Sequence, residues 1–338
     1  MIHFLFLALC VAAIYFSCEW FVNAVEWLGQ RLRIGKMAVG TILAAIGTAL
    51  PESVVTLVAV TTGRTPETKD IGIGAALGGP LVLSTIAYGV TGIVILLVHR
   101  RRSADTAGRR SQPVGSPDEL KRLAKDQQWF LPVFAVKVGL GLVAFAIKPV
   151  LGLAFFAVYA IYFWREIRAR DDSHDTELEP LKFQPSAQYP RTWAVVAQTL
   201  VTVAVIFAAS QFFVQQLDAI GPMLGLPSAV TALLLSPIAT ELPETLNAII
   251  WVRQGKTPLA LANISGSMMI QATVPSGLGI LFTPWMLSHA LLWSGAITAV
   301  AIVYLLVMMH RHRLTAARLA VVAGLYVVFA AGLVFILH

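Results

Sequence analysis

The stretch "GTALPESV", Gly47–Val54, sets a proline and a glutamate side by side in a run otherwise built of Ala, Val, Ile and Leu. A near copy, "ATELPETL", occupies Ala239–Leu246. In both, a threonine stands four residues before the second-half-of-motif glutamate: Thr48 before Glu52, and Thr240 before Glu244. One such oddity is unremarkable. Two of them, each in the second apolar run of its half of the chain, decide how the whole sequence is read.

The surroundings are those of a membrane. The 338 residues are 57% hydrophobic and only 13% charged, with a mean hydropathy of +0.75. A soluble domain carries about 25% charge. The apolar runs approach or exceed the ~20 residues that cross a hydrocarbon core as a helix. They are continuous rather than alternating, which excludes a transmembrane β-barrel. Cys10 and Cys18 lie in the first run and are expected to be packed thiols rather than a disulfide. No cleaved signal peptide is apparent, because the first run has neither a basic lead nor a small-residue cleavage site.

The fold expected is an all-α membrane protein with ten transmembrane helices in two inverted five-helix repeats. The spans fall at about 3–28, 36–62, 71–98, 129–146, 149–166, 193–216, 227–252, 258–282, 286–309 and 315–337. Residues 1–166 form the first repeat, with a basic cytoplasmic loop at 99–128; residues 167–191 form a cytoplasmic linker, and 192–338 the second repeat. Both connections read as solvated, with "SPDELKRLAKDQ" as a short surface helix capped by Ser116, and with His174 as a loop residue rather than a metal ligand. Basic residues set the orientation. With the N-terminus outside, the inner loops hold Arg31, Arg33, Lys36, Arg100–Arg102, Arg109, Arg110, Arg165, Arg168, Arg170, Arg253, Lys256, Arg311 and Arg313. The outer loops hold little beyond Arg64, Lys69 and Lys148. Both termini then face outward. An odd number of spans per half makes the second half enter from the opposite side, the inverted-repeat plan of many secondary transporters. The net charge of +7 follows from this asymmetry and implies no nucleic-acid partner.

The repeated motif has a physical reading. A proline inside a helix removes one hydrogen bond and pushes away the carbonyl four residues back. Pro51 frees the carbonyl of Gly47, Pro243 that of Ala239, and Pro237 adds a further break. Broken helix at membrane depth persists only where it is buried in protein or lines a wet cavity. Threonine and glutamate four apart share one helix face. Inverted symmetry would bring Thr48 and Glu52 to meet Thr240 and Glu244 near the midplane. Hydroxyl, carbonyl and carboxylate oxygens suit a hard cation such as Ca²⁺ or Na⁺. A charged residue at the bilayer centre costs at least ~2.5–3.5 kcal/mol on insertion scales, and no Lys or Arg in the same helices pairs Glu52, Glu241 or Glu244. The eighth span adds a polar stripe at four-residue spacing, Asn263, Ser267 and Gln271. The matching first-half positions, Ala75, Gly79 and Leu83, offer no side-chain oxygen, and Ser84 and Thr85 are displaced.

With these motifs the chain resembles the cation/calcium exchanger superfamily, the sodium/calcium exchangers in particular. The resemblance spans nearly the whole chain and rests on a G-T-S-x-P-E type motif in each half. It implies that Glu52 and Glu244 coordinate the metal cation, with Thr48 and Thr240 beside them, and that neighbouring hydroxyls and carbonyls help hold Na⁺. Ala49 departs from the family's serine, and Glu241 stands at the equivalent place of the second motif. Of the family's G-S-N type pattern in the third helix of each half, the second copy keeps Gly266 and Ser267, while the first reads Gly78, Gly79, Pro80 and Leu83.

The function expected is therefore a secondary antiporter in the plasma membrane, exchanging Ca²⁺ for Na⁺ by alternating access. It has no cofactor, acts on inorganic cations in a lipid bilayer, and is not an enzyme. No H-E-x-x-H or G-x-S-x-G motif is present. An H⁺-coupled exchanger is the alternative, with Glu241 holding a proton that leaves when the cation binds. A passive cation channel with a degenerate site is the other. An asymmetric ligand set is also expected, so that Gly79→Ser should be tolerated or should add monovalent affinity.

Overall fold

The computed structural model describes residues 2–62, 66–102, 113–169, 178–223 and 234–337. Among these residues the chain is helical, and its sole extended pairing is one isolated bridge between Pro113 and Thr315. Helix α1 covers Ile2–Leu32. The second span is interrupted: α2 (Lys36–Ala38) leads into a π-helical segment, Val39–Ala44, and then α3 (Ala45–Thr62). The third is interrupted too, as α4 (Pro66–Val82), a π segment Leu83–Ala87, and α5 (Tyr88–Arg102). Then come α6 (Pro117–Leu140), α7 (Lys148–Arg168) and α8 (Thr192–Met223). The second motif lies on α9 (Ser236–Thr240) and α10 (Leu242–Arg253), and α11 (Thr257–Phe282) and α12 (His289–His310) follow. The chain closes with α13 (Ala316–Val321) and α14 (Ala323–Leu337).

Among the described residues, six helical stretches are long and apolar enough to cross a membrane: Ile2–Leu32, Gly72–Val98, Lys148–Arg168, Thr192–Gln216, His289–His310 and Ala316–Ile336. The pair Lys36–Ala49 and Glu52–Thr61, bent by 50° around Pro51, makes a seventh if it is one span. Their outward faces carry large apolar side chains, among them Leu5 and Phe16 on α1, Ile161 on α7, Leu200 on α8 and Phe335 on α14. Such faces suit lipid, where apolar exposure carries no hydrophobic penalty. The polar residues are turned inward. Helix α11 runs through the middle, buried from Leu259 to Ala272 without interruption and packed on α3, α4, α6, α7 and α10. A helix that is enclosed on all sides needs small residues where backbones touch. A Cβ at Gly266 would fall on the backbone carbonyl of Thr41.

Three expectations are corrected. The short surface helix and the fourth span are one helix, Pro117–Leu140. It begins at a capping box, where the Ser116 side chain accepts from the Glu119 amide (3.3 Å) and Glu119 accepts from the Ser116 amide (2.8 Å). It stops six residues short of 146, because the chain turns at Gly141 and Lys148 folds back to donate to the Val143 carbonyl (2.6 Å). The side chain of that lysine is buried. The linker is not wholly solvated either. Its described part packs on α1 and α8, with Leu181 fully buried. Asn23 donates to the carbonyls of Glu179 (3.2 Å) and Pro180 (3.3 Å) and accepts from the Lys182 amide (3.2 Å). His174, Arg64, residues 103–112 and the start of the seventh span, 227–233, lie outside the described residues. Cys10 and Cys18 are free and buried.

Candidate functional site

Proline chemistry shapes the centre of the molecule. Pro80 inside α4 cannot donate, so the carbonyl of Ala76 loses its helical partner. Pro275 does the same to the carbonyl of Gln271 on α11. Both carbonyls are satisfied by side chains. Lys137 of α6 donates to Ala76 O (2.8 Å), and Ser276 donates to Gln271 O (3.0 Å). Lys137 also donates to the Ser276 hydroxyl (3.2 Å), so one ammonium ties the two breaks together. The second motif breaks at Glu241 itself, which separates α9 from α10 with φ −89° and ψ 7°. The kink aims the Glu241 side chain away from the helix line and into the core.

The two motifs meet crosswise. The Glu52 carboxylate lies against the Thr240 hydroxyl and the Glu241 carboxyl. The Glu244 carboxylate lies against the Thr48 hydroxyl. Each half's threonine thus faces the other half's glutamate. The same exchange appears between helices, because α11 packs on α3 while α4 packs on α9. Gln271 donates to Glu241 Oε1 at 2.6 Å, and Asn263 donates to the Glu244 carbonyl at 3.5 Å. Ser267 is fully buried between them in sequence, on the same face of α11.

The cluster is closed to solvent: Glu52 is 2% exposed, Glu244 1%, and Glu241, Asn263, Ser267 and Gln271 0%. Buried polar atoms are normally hydrogen-bonded, and each exception asks for a cause. Six of the exceptions among the described residues fall in this cluster. Glu52 Oε2, Glu241 Oε2, Glu244 Oε2, Asn263 Oδ1, Ser267 Oγ and Gln271 Oε1 have no protein donor. All six are oxygens. Among the described residues no three His, Cys, Asp or Glu side chains stand in metal-ligating geometry. The set mixes carboxylate, hydroxyl and amide oxygens, the ligand type that hard cations prefer.

The structure brings together all of Thr48, Glu52, Thr240, Glu241, Glu244, Asn263 and Gln271. It turns two other hydroxyls aside. Ser84 and Thr85 both donate to the carbonyl of Leu81, at 3.1 and 2.5 Å, and serve their own π segment. The surroundings of Gly79 bear on the expectation that a serine there is tolerated. A Cβ there would stand 2.5 Å from Gln271 Oε1 and 2.8 Å from Glu241 Oε1. The second half's carboxylate and amide occupy the space beside Gly79, so a serine there needs both side chains to move. Lys137 was missed by reading only the motif helices for a countercharge. It is fully buried, within electrostatic reach of Glu52, and its Nζ lies 4.9 Å from the centre of the Phe134 ring. The available signal was a single lysine in the otherwise apolar run "WFLPVFAVKVGL".

Comparison with known proteins gives consistent results. The sodium/calcium exchanger protein family matches residues 2–167 and 194–335. The putative antiporter CaxA of Alkalimonas amylolytica is 21% identical over 292 residues, covering 85% of this chain and 82% of its own. The inner membrane protein YrbG of Escherichia coli K12 is 24% identical over 275 residues, covering 80% and 77%. The fold is that of the sodium-calcium exchanger NCX_Mj. Its form soaked with Na⁺ and no Ca²⁺ gives a TM-score of 0.73 at 17% identity, over 98% of both chains. A form soaked with both ions gives 0.74 at 17% identity, over 98% of this chain and 99% of that one.

Proposed function

The chain belongs to the sodium/calcium exchanger protein family, and from that premise we propose that it is a secondary antiporter exchanging Ca²⁺ for Na⁺ across the plasma membrane. The observation that carries the reading is the set of six unpartnered buried oxygens at the crossing of the two motifs. In this reading the chain has ten spans in two inverted halves, with both termini outside. The reciprocal pairs Thr48 with Glu244 and Thr240 with Glu52 support that plan, since a two-fold relation exchanges them. Glu52 and Glu244 hold the divalent cation, with Thr48, Thr240, Asn263, Ser267 and Gln271 completing its shell. The carbonyls of Gly47 and Ala239, freed by Pro51 and Pro243, extend it toward Na⁺.

The mechanism follows from burial. Carboxylates gathered in a closed site repel one another, and desolvation adds to the cost. A cation removes both penalties. The site therefore closes readily when loaded and opens to one side or the other when exchange of ligand is possible. Two ligands that each stabilise the same occluded arrangement exchange without a leak. No bond is made or broken, so the chain is read as a transporter and not an enzyme. Contact between the Glu52 and Glu241 carboxyls favours a second reading, in which a proton held between them replaces part of the Na⁺ coupling.

Uptake of Ca²⁺ into proteoliposomes, with Na⁺ and H⁺ gradients imposed separately, tests both readings. An exchanger accumulates Ca²⁺ in response to the opposing gradient; a channel with a degenerate site only equilibrates it. Glu52→Gln and Glu244→Gln should each abolish exchange while the protein still inserts. Wild-type exchange in either variant would remove the assignment.

A further inference from the structure

We propose that Asn247 is a further cation-handling residue, a weak station for a partly hydrated cation on the route between the carboxylate cluster and the cytoplasmic end of the bundle. The proposal rests on the cluster being the transport site. Asn247 lies on α10, is fully buried, and neither its Oδ1 nor its Nδ2 has a protein partner. That sets it apart from the other buried amides among the described residues. Asn23 and Gln198 use both ends. Gln127, Gln216, Asn263 and Gln271 each use at least one. An amide with both ends unmet in a closed interior is costly and asks for a cause.

The place of the amide on its helix supplies the cause. Glu244, Asn247 and Trp251 stand at positions i, i+3 and i+7 of α10 and share one face. Residues three apart on a helix have Cβ atoms about 5–6 Å from one another, so the amide adjoins the cluster. At the far end of the row the Trp251 indole donates to Glu26 Oε1 (2.8 Å), and Lys256 donates to both oxygens of the same carboxylate (2.7 and 2.5 Å). That pair lies where α1 and α10 end, beside Arg31 and Arg253, the end read above as cytoplasmic. The row thus leads from the cluster to one side of the membrane. An amide oxygen is a ligand of hard cations, and the amide NH₂ can donate to a water that the ion carries. A neutral amide holds such an ion weakly enough to release it, which passage requires and a carboxylate would hinder. The first half has no counterpart: in the register that sets Glu52 against Glu244, position 55 is a valine. In the inverted plan that position lies toward the opposite side, so the amide serves one side alone.

The test is side-specific. In the full chain carrying Cys10→Ala and Cys18→Ala, a membrane-impermeant cationic methanethiosulfonate is applied to either face of sealed, uniformly oriented proteoliposomes. Arg33→Cys, at an exposed position just past α1, marks the cytoplasmic face. Asn247→Cys should react from the face that Arg33→Cys reacts from and not from the other. Reaction from the other face, or from neither, overturns the proposal. Asn247→Leu separates passage from packing. Replacing a partnerless amide by an apolar group of similar shape should not lower the melting temperature. The Ca²⁺-dependent melting shift should persist, because the cluster is intact. Ca²⁺ exchange should slow about 10-fold, the loss of one interaction of ordinary strength during passage. Exchange at the wild-type rate in Asn247→Leu overturns the proposal. So does a variant that melts lower or does not fold, the behaviour of an amide that only packs, and so does loss of the Ca²⁺ shift, which would make Asn247 part of the cluster itself. Absence of any exchange in wild type removes the transport-site reading and this proposal with it; exchange in wild type without labelling at 247 removes the proposal alone.

Discussion

Gly79 and Glu241 are two ends of one exchange of volume. The first-half helix gives up a side chain at 79, and the second-half motif spends the space on a carboxylate and the amide of Gln271. Gly79→Ser should therefore cut Ca²⁺ exchange by at least ~10-fold and destabilise the protein by about 1–3 kcal/mol, the usual cost of overpacking. Flux and thermal melting in detergent check it; undiminished exchange would mean that the Gln271–Glu241 contact is dispensable. Glu241 also sets a pH prediction. If cation binding expels a proton from the Glu52–Glu241 contact, mass action makes the cation bind more tightly as pH rises. Glu241→Gln removes that proton, so the slope of uptake against external pH at fixed Na⁺ should flatten. Coincident profiles for variant and wild type would take Glu241 out of the coupling.

At the scale of the element, the interruptions matter more than the helices. Two π segments, Val39–Ala44 and Leu83–Ala87, fall on the spans that line the cluster, and such segments concentrate at functional sites. The breaks at Pro80 and Pro275 are each repaired by a side chain, which keeps buried backbone from being left unpaired. The linker follows the same logic at the edge of the bundle. Asn23, Gln198 and Trp27 bind the backbone from Glu179 to Phe183 and hold that segment to α1 and α8. Gln198 also donates to Asn23 Oδ1 (3.1 Å), so the network is shared between the two helices. Asn23→Ala leaves several buried groups without partners, at a cost of about 1–3 kcal/mol. The expected result is a lower melting temperature and faster proteolysis between residues 178 and 190, with exchange retained. Protease resistance equal to wild type would show that the clamp does not depend on Asn23.

Across the whole molecule, the two halves touch through charge at the Glu26–Lys256 pair and again at the cluster. Glu52 belongs to one half and Glu241 and Glu244 to the other, so a cation bound as proposed would bridge them. A ligand that binds only the folded protein adds stability by mass action, about 2.7 kcal/mol at one hundred times its Kd. Ca²⁺ should raise the melting temperature of the wild-type protein in a concentration-dependent way, and Glu52→Gln or Glu244→Gln should abolish the shift. A Ca²⁺ shift that survives in both variants would place the ion elsewhere.

By itself the sequence determined the membrane class, the family, the paired motifs and the polar stripe. These are local properties: hydropathy along a run, and spacing along one helix. Helical periodicity says that Asn263, Ser267 and Gln271 share a face, and that Thr48 and Glu52 do. It does not say which face of a neighbouring helix they meet. Only the tertiary structure decided that Glu241 turns inward, that it occupies the space beside Gly79, and that Lys137 joins two helix breaks from α6. It also decided that the stretch after Leu178 is packed and that the surface helix continues into the fourth span. Each of these depends on contacts between residues distant in sequence, where burial leaves a polar group no partner but the one the fold supplies. Lys137 shows the reason most plainly. In its own helix it is one charge in an apolar run, and its meaning comes from two prolines on two other helices and a carboxylate on a third.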